Sequence, residues 1–374
     1  MSYYTLIATS AFGIESVVAD ELRKLGYNEL TVNDGRVIFT GDETDIARCN
    51  IWLRCADRVL VRMAEFPARD FEELYQGVLA VEWEKIIPEN GIMHVKGKSV
   101  RSTLHSVSHC QSITKKAVVE AMKRRYKRDT FPENGPLFTI EVGMLRDTAT
   151  ITLDTSGPGL HKRGYRVTGG EAPIRETLAA AIIYLSRWTP DRIFADPLCG
   201  SGTIAIEAAM KGLNIAPGLR RSFVSETWNM IPAKIWNSLR SKAEESILEI
   251  SPVIFASDMD TRVFRTAREN AEHAGVGEHI IFQKKPVEEF SSKKRLGCIV
   301  TNPPYGERLG KPDDMEHLYR AMGDVFRSLE DWSYFILCAH PDFEKHFGMK
   351  SVKNRKLYNG KIKTYLYQYF GPLR

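Results

Sequence analysis

The chain of 374 residues predicts an α/β protein in three parts. A ferredoxin-like α+β unit is expected over residues 1–60, a second α+β unit over 61–156, and a doubly wound Rossmann-type sheet with a terminal antiparallel hairpin over 157–374. Three observations predict this. Between residues 192 and 338, short apolar strand runs alternate with helical patterns, the rhythm of a parallel sheet covered by helices. Near the C-terminus, Asn359-Gly360 separates two strand-like runs, a strong hairpin signal. The first 150 residues have a different order of strands and helices, uninterrupted by repeats or low-complexity stretches.

In order, Tyr3 to Thr9 reads as a strand, Ile14 to Leu25 as an amphipathic helix stopped at Gly26, and Arg36 to Thr40 as a strand. A helix over Asp42 to Cys55 and a strand over Arg58 to Phe66 complete the ferredoxin-like pattern. The second unit is read as helix 70–80, strand 92–97, helix 110–127, and strands Leu137 to Met144 and Thr148 to Asp154 around an Arg146-Asp147 turn. The third part starts with a helix from Arg175 to Arg187, strand Arg192 to Asp196 and helix Thr203 to Lys211. An insertion from Leu213 to Ser251 follows, whose Trp228 and Trp236 are expected in a helical core rather than around a ligand. Strands near 253–257, 279–283, 297–301 and 333–338 lead to the hairpin of Val352 to Tyr358 and Ile362 to Phe370.

Hydrophobic content of 43% and charged content of 26% are those of a globular protein, and the length allows two or three cores. A net charge of +5 is modest, so any polyanion partner must be read from where charge clusters. The six cysteines form no CxxC pair and no metal-ligand set with histidine, so reduced thiols, no metal and a cytoplasmic setting are expected. The first residues lack a basic segment followed by a long apolar run, and no window of 18 apolar residues occurs, which disfavours secretion and membrane spanning.

Two segments carry chemistry. Asp196-Pro197-Leu198-Cys199-Gly200-Ser201-Gly202-Thr203 joins a strand to a helix, where an open parallel sheet places its ligand crevice. It lacks the third glycine of a dinucleotide fingerprint and the Gly-Lys-Ser/Thr of a phosphate loop, which favours a phosphate-free nucleoside cofactor. In Ser257-Asp258-Met259-Asp260, a carboxylate at the next strand end can accept hydrogen bonds from both ribose hydroxyls. One aspartate serves there while the other caps the helix starting near Thr261.

The second segment is Asn302-Pro303-Pro304-Tyr305-Gly306. An exocyclic base amine is a poor nucleophile, because its lone pair is delocalised, until hydrogen bonds pull the nitrogen toward tetrahedral geometry. The Asn302 side-chain oxygen and the Pro303 carbonyl are suited to accept its two protons, and Pro303-Pro304 stiffens them. Tyr305 is expected to stack on the flipped base. Together the two segments predict methylation of a base amine from S-adenosyl-L-methionine.

Ser156-Gly157, His161-Lys162-Arg163-Gly164-Tyr165-Arg166, Ala172-Pro173-Ile174-Arg175-Glu176-Thr177-Leu178-Ala179-Ala180, and the two segments above with Glu307-Arg308-Leu309 occur in that order. In them the chain resembles the bacterial THUMP-domain ribosomal RNA methyltransferases, specifically the large-subunit guanine-N2 group. The resemblance implies 23S ribosomal RNA as partner. It puts Pro173, Thr177, Asp196, Pro197, Cys199, Gly200, Ser201 and Gly202 against the methionine part of the cofactor, Asp258 and Met259 at the nucleoside, and Asn302 to Tyr305 at the base. It also makes 61–156 a THUMP domain with Lys98-Ser99-Val100-Arg101-Ser102 as its loop. Where such enzymes have an acidic residue for the adenine amine, this chain has Lys284-Lys285-Pro286-Val287, leaving that contact to Glu288 or to backbone.

Basic residues concentrate in the second unit. Lys98 and Arg101 precede a helix ending in Lys123, Arg124, Arg125, Lys127 and Arg128, a cluster able to neutralise RNA phosphates. Lys162, Arg163 and Arg166 form a second basic cluster in the linker. The resemblance makes guanine-N2 methylation of 23S RNA the expected reaction. Adenine-N6 methylation of RNA or DNA, or a catalytically idle role in ribosome assembly, are the alternatives.

Overall fold

The computed structural model describes residues 3–166, 174–305 and 312–372. Its first part comprises β1 (Tyr4–Thr9), α1 (Glu15–Lys24), β2 (Thr31–Asn33), β3 (Arg36–Gly41), α2 (Glu43–Trp52), β4 (Arg58–Pro67), α3 (Phe71–Leu79), β5 (Ile92–Val100), α4 (Val107–Tyr126), β6 (Leu137–Leu145) and β7 (Thr148–Asp154). The strands form one seven-stranded sheet in the order β2-β3-β1-β4-β7-β6-β5. β4 joins its two halves, pairing with β1 through Arg58 to Arg62 and with β7 from Leu60 to Pro67 around an irregularity between Arg62 and Ala64. Residues 60 and 61, where the first two units were expected to divide, are consecutive in this strand.

Local chemistry accounts for several boundaries. Asp42 and Asp45 form a reciprocal capping box at the start of α2, and Asp70 caps α3 by accepting from Glu73 N–H. Arg146 and Asp147 both have positive φ, 49° and 61°, as a two-residue turn matched to strand twist requires. One expectation fails here: Lys98, Ser99 and Val100 lie in β5, paired in parallel with β6, so only Arg101 and Ser102 of the expected loop leave the strand.

The second sheet is built from α5 (Glu176–Leu185), β8 (Phe194–Asp196), α6 (Thr203–Gly212), α7 (Ala233–Glu245), β9 (Ile254–Asp258), α8 (Thr261–His273), β10 (Ile280–Lys284), β11 (Cys298–Thr301), α9 (Pro312–Arg327), β12 (Ser333–Cys338), α10 (Phe343–Phe347), β13 (Lys353–Asn359) and β14 (Ile362–Tyr369). Its order is β10-β9-β8-β11-β12-β14-β13. β8 to β12 pair in parallel, while β14 runs antiparallel to both β12 and β13. The strand order reverses between β8 and β11, which places the ligand crevice at their C-terminal ends. The hairpin turn differs from expectation. Asn359 pairs with Ile362, so the central residues are Gly360 and Lys361, and only Gly360 has positive φ, 63°. Asn359 is kept in the strand by burial, and its side chain accepts the Arg175 N–H at 3.4 Å.

Both inserted tryptophans are core residues, as expected. Trp228 stacks on Phe138 at 4.8 Å and donates to the Leu137 carbonyl, docking the insertion onto β6. Trp236 stacks on Phe223 at 5.4 Å. Among the described residues, no helix is long and apolar enough to cross a membrane.

Candidate active site

The loop after β8 is shaped for a ligand to approach its backbone. Cys199 N–H donates to Ser257 O at 2.9 Å and Gly202 N–H to Cys199 O at 2.8 Å, which turns the chain tightly into α6. Gly200 and Gly202 have φ of 52° and 79°, conformations that favour glycine. A Cβ on Gly202 would press on Ala267 of α8, whereas one on Gly200 would meet nothing within 4 Å. Gly202 therefore serves packing and Gly200 faces open space. Thr203 and Cys199 are buried, and burial pushes the Cys199 thiol up.

Two carboxylates face this loop. Asp258, at the end of β9, accepts Gly200 N–H and Asp260 N–H, each at 3.0 Å. Asp260 instead accepts Arg262 N–H and caps α8, which is the capping role expected of one of these two aspartates. Met259 between them is 69% exposed. Asp196 is buried at the end of β8, where Thr301 of β11 donates to its Oδ1 at 2.7 Å. Among the described residues its Oδ2, also buried, has no hydrogen-bond partner. Burial raises the Asp196 carboxyl to about 7, with the Thr301 hydrogen bond opposing and the Asp258 charge adding to the rise.

Directly after Thr301 comes Asn302, whose Oδ1 is also buried without a partner among the described residues. A buried amide oxygen left unsatisfied costs about 1 to 3 kcal/mol, so this pair of orphaned oxygens on adjacent strands is the arrangement of a site awaiting donors. Pro303 and Pro304 have no N–H to anchor them. The Pro304 carbonyl is held by the hydroxyl of Tyr319 on α9, at 2.9 Å. Tyr305 departs from expectation: it is only 6% exposed and belongs to the core cluster with Met315 and Tyr319, so its ring is not presented as an open stacking surface. Pro173, Gly306 and residues 307–309 lie outside the described residues.

Thr177, expected near the cofactor, donates its hydroxyl to Asp57 of the first part, at 3.1 Å. After β10, Val287 is buried and Glu288 is exposed in a short turn, and Lys285 lies 5.6 Å over the Phe290 ring. Tyr319 and Thr301 were missed by sequence reading. Tyr319 was findable, because Met315, Tyr319, Met322 and Phe326 form an apolar stripe at helical spacing in which one member carries a hydroxyl.

The expected RNA contacts divide. Arg124, Arg125 and Lys127 are exposed at the end of α4, and among the described residues they have no ion pair. Arg101 and Lys162 are also exposed. Lys98, Lys123 and Arg128 pair with Glu141, Glu120 and Glu89, surface pairs that a phosphate can replace at little cost. Arg163 is a correction. Its side chain is 2% exposed and pairs with Glu207 of α6, while it donates to the carbonyls of Leu160 and Arg54. It joins the first part to the methyltransferase-like sheet and cannot reach a nucleic acid. Arg166 is partly buried, ion-paired with Glu176 at 2.9 Å and bonded to Ile174 O and Thr203 Oγ1, so its charge is committed at the start of α6. Charge alone, without knowledge of Glu207 and Glu176, could not reveal this.

His340, Asp342 and His346 offer ligand atoms within 4.8 Å of one another, a cluster that sequence spacing did not indicate. The Asp342 N–H donates to His340 Nδ1 at 3.2 Å, which in the neutral ring puts the proton on Nε2. While that bond stands, His340 has no lone pair for a metal.

A Rossmann sheet in methyltransferase strand order, with a glycine cradle and an amide acceptor at its switch point, defines this part as a methyltransferase. The chain belongs to the family of RMKL-like methyltransferase domains, whose model matches residues 163–368. Models of the RlmL ferredoxin-like domain and the THUMP domain match residues 5–60 and 68–154. It is 52% identical to "Putative RNA methyltransferase YpsC" of Bacillus subtilis (strain 168), over 100% of this chain and 98% of that protein. It is 36% identical to "Ribosomal RNA large subunit methyltransferase K/L" of Syntrophotalea carbinolica, over 96% of this chain but 52% of that longer protein. Among solved structures, SMU.472 complexed with SAH superposes with a TM-score of 0.94 at 46% identity, covering 100% of both chains.

Proposed function

We propose that this chain transfers the methyl group of S-adenosylmethionine to N2 of a guanine in the large-subunit ribosomal RNA. The observation that carries the reading is that the Oδ1 of Asn302 and the Oδ2 of Asp196, at the ends of neighbouring strands, are buried without a hydrogen-bond partner among the described residues. The residues fit the cofactor: Asp196 offers a carboxylate to its ammonium, Gly200 leaves room for close approach, and Asp258 offers acceptors to its ribose. When bound, the cofactor supplies an electrophilic methyl group on sulfur. Asn302 Oδ1 and the Pro303 carbonyl accept the two amine protons and aim the nitrogen lone pair, and Tyr319 steadies the loop that carries them. Transfer of that methyl to the amine would leave S-adenosylhomocysteine, and the proton that the nitrogen sheds would pass to solvent, since Asn302 and Pro303 only accept hydrogen bonds. Orientation of two bound reactants can lower the barrier by about 7 to 11 kcal/mol, so no strong base is required.

The matched THUMP domain and the exposed basic end of α4 support RNA as substrate, and the Syntrophotalea relative supports ribosomal RNA. Such a substrate places the reaction in the cytoplasm. A paired base must leave its stack to reach the crevice. The test is incubation of the protein with labelled S-adenosylmethionine and unmodified ribosomal RNA, followed by nucleoside mass spectrometry. Labelled N2-methylguanosine is expected. N6-methyladenosine would move the reaction to adenine, and no labelled nucleoside on RNA or DNA would leave an idle RNA-binding factor.

A further inference from the structure

We propose that one face of the β13–β14 hairpin is a docking platform for the single-stranded RNA that flanks the target base, an inference that rests on the RNA-methylating reading above. After Glu344 the chain contains six lysines and two arginines and no acidic residue. In the hairpin these charges interleave with tyrosines in register. Lys356 lies opposite Tyr365 and Tyr358 opposite Lys363, so the four side chains share one face. Lys356 and Lys363 are exposed and the two tyrosines partly exposed. Each ammonium sits over the neighbouring tyrosine on its own strand, Lys356 at 5.4 Å from the Tyr358 ring and Lys363 at 5.1 Å from the Tyr365 ring. Phe12, half exposed, meets Tyr358 edge-on at 6.1 Å from the first part of the chain.

Position gives this face its function. Tyr365 pairs with Cys338, the last residue of β12, so Lys363 and the turn project beyond the C-terminal edge of the parallel strands. The same edge carries Asp196 and Asn302, because β8, β11 and β12 all end there. A flipped nucleotide brings its unstacked neighbours to this edge. Aromatic rings with adjacent cations are the combination that holds single strands without reading their sequence. The tyrosine faces replace lost base stacking, while Lys356, Lys363 and the turn residue Lys361 neutralise phosphates.

The experiment titrates a labelled oligouridylate of about 12 nucleotides, within known single-strand site sizes, into the protein with S-adenosylhomocysteine present. Tyr358→Ala is expected to weaken binding about tenfold, in the range of one lost base–aromatic stack, and Tyr358→Phe to stay within about twofold. Lys356→Gln with Lys363→Gln should make the plot of log affinity against log salt shallower by roughly 1.4, two contacts at about 0.7 each. Binding of a blunt RNA duplex of equal length should not respond to Tyr358→Ala. Should Tyr358→Ala fail to fold, as judged by its S-adenosylhomocysteine titration, the lysine pair carries the test alone. Unchanged affinity and salt slope in these variants, or equal losses on duplex and single strand, would overturn the platform. The titration needs no turnover, so a wild-type protein that binds by this face without methylating guanine would remove the proposed reaction and leave the platform standing.

Discussion

Arg163→Met is the sharpest test of what the linker does. The sequence places this arginine in a basic cluster, whereas the structure buries it against Glu207 and two carbonyls. Removing the guanidinium leaves the Glu207 carboxylate in the interior with, among the described residues, the Tyr165 hydroxyl at 3.2 Å as the remaining donor on Oε1. Breaking one side of a buried pair typically costs about 3 to 5 kcal/mol, and the orphaned Leu160 and Arg54 carbonyls keep the loss at the upper end. Urea unfolding followed by tryptophan fluorescence should show the midpoint fall accordingly. Adding Glu207→Leu should restore part of it, so that the double variant loses less than the sum of the singles by about 2 kcal/mol, a coupling normal for residues in contact. The salt dependence of RNA binding should stay that of wild type. A midpoint close to wild type, together with a salt slope shallower by roughly 0.7 to 0.9, would refute the buried latch and return Arg163 to the RNA-contacting surface.

Asn302→Ala removes one acceptor from the amine clamp, and methyl transfer should fall at least a hundredfold, on the order of 3 kcal/mol, with S-adenosylhomocysteine affinity nearly unchanged in calorimetry. Asp196, buried and raised to about 7, is protonated more readily in the folded than in the unfolded chain, so its contribution to stability is present in acid and is lost as pH rises through 7. Over the same range its ionisation should strengthen S-adenosylhomocysteine binding. Calorimetry from about pH 6 to about pH 8 should show affinity rising in wild type and flat in Asp196→Asn, and a flat wild-type profile would count against the ammonium contact. Replacing Lys123, Arg124, Arg125, Lys127 and Arg128 by Gln should weaken RNA binding and shallow the salt slope by roughly 0.7 to 0.9 per lost contact; an unaltered slope would make the end of α4 a solvated surface.

What the sequence disclosed, and what it hid, follows from range of interaction. Elements set by local chemistry were legible: the capped helices α2 and α3, the Arg146-Asp147 turn, and the two strand-end loops after β8 and β11. β2 was invisible because its three residues are all exposed and show no apolar alternation. The hairpin turn slid by one residue because Asn359 is claimed by Arg175, 184 positions away. Arg163 and Tyr305 were misplaced for the same reason, since Glu207 and the pocket under α9 are contacts that no nearby residue announces. Loop shapes set by neighbouring residues were legible, and contacts made with a distant partner were not.

The shared strand β4 has a mechanical consequence. Ten residues in extended conformation reach roughly 33 Å. Along that length one ladder splices the ferredoxin-like half to the THUMP half, so neither can swivel without breaking pairs with β1 or β7. The basic end of α4 is thereby kept at a fixed offset from the domain that Arg163 and Trp228 fasten to the same frame. On the function proposed above, such a frame would measure its substrate as a gauge block does, choosing the nucleotide for Asn302 by its distance from phosphates held at the end of α4. Inserting a single residue in β4 would turn every following side chain to the opposite face and detune the gauge.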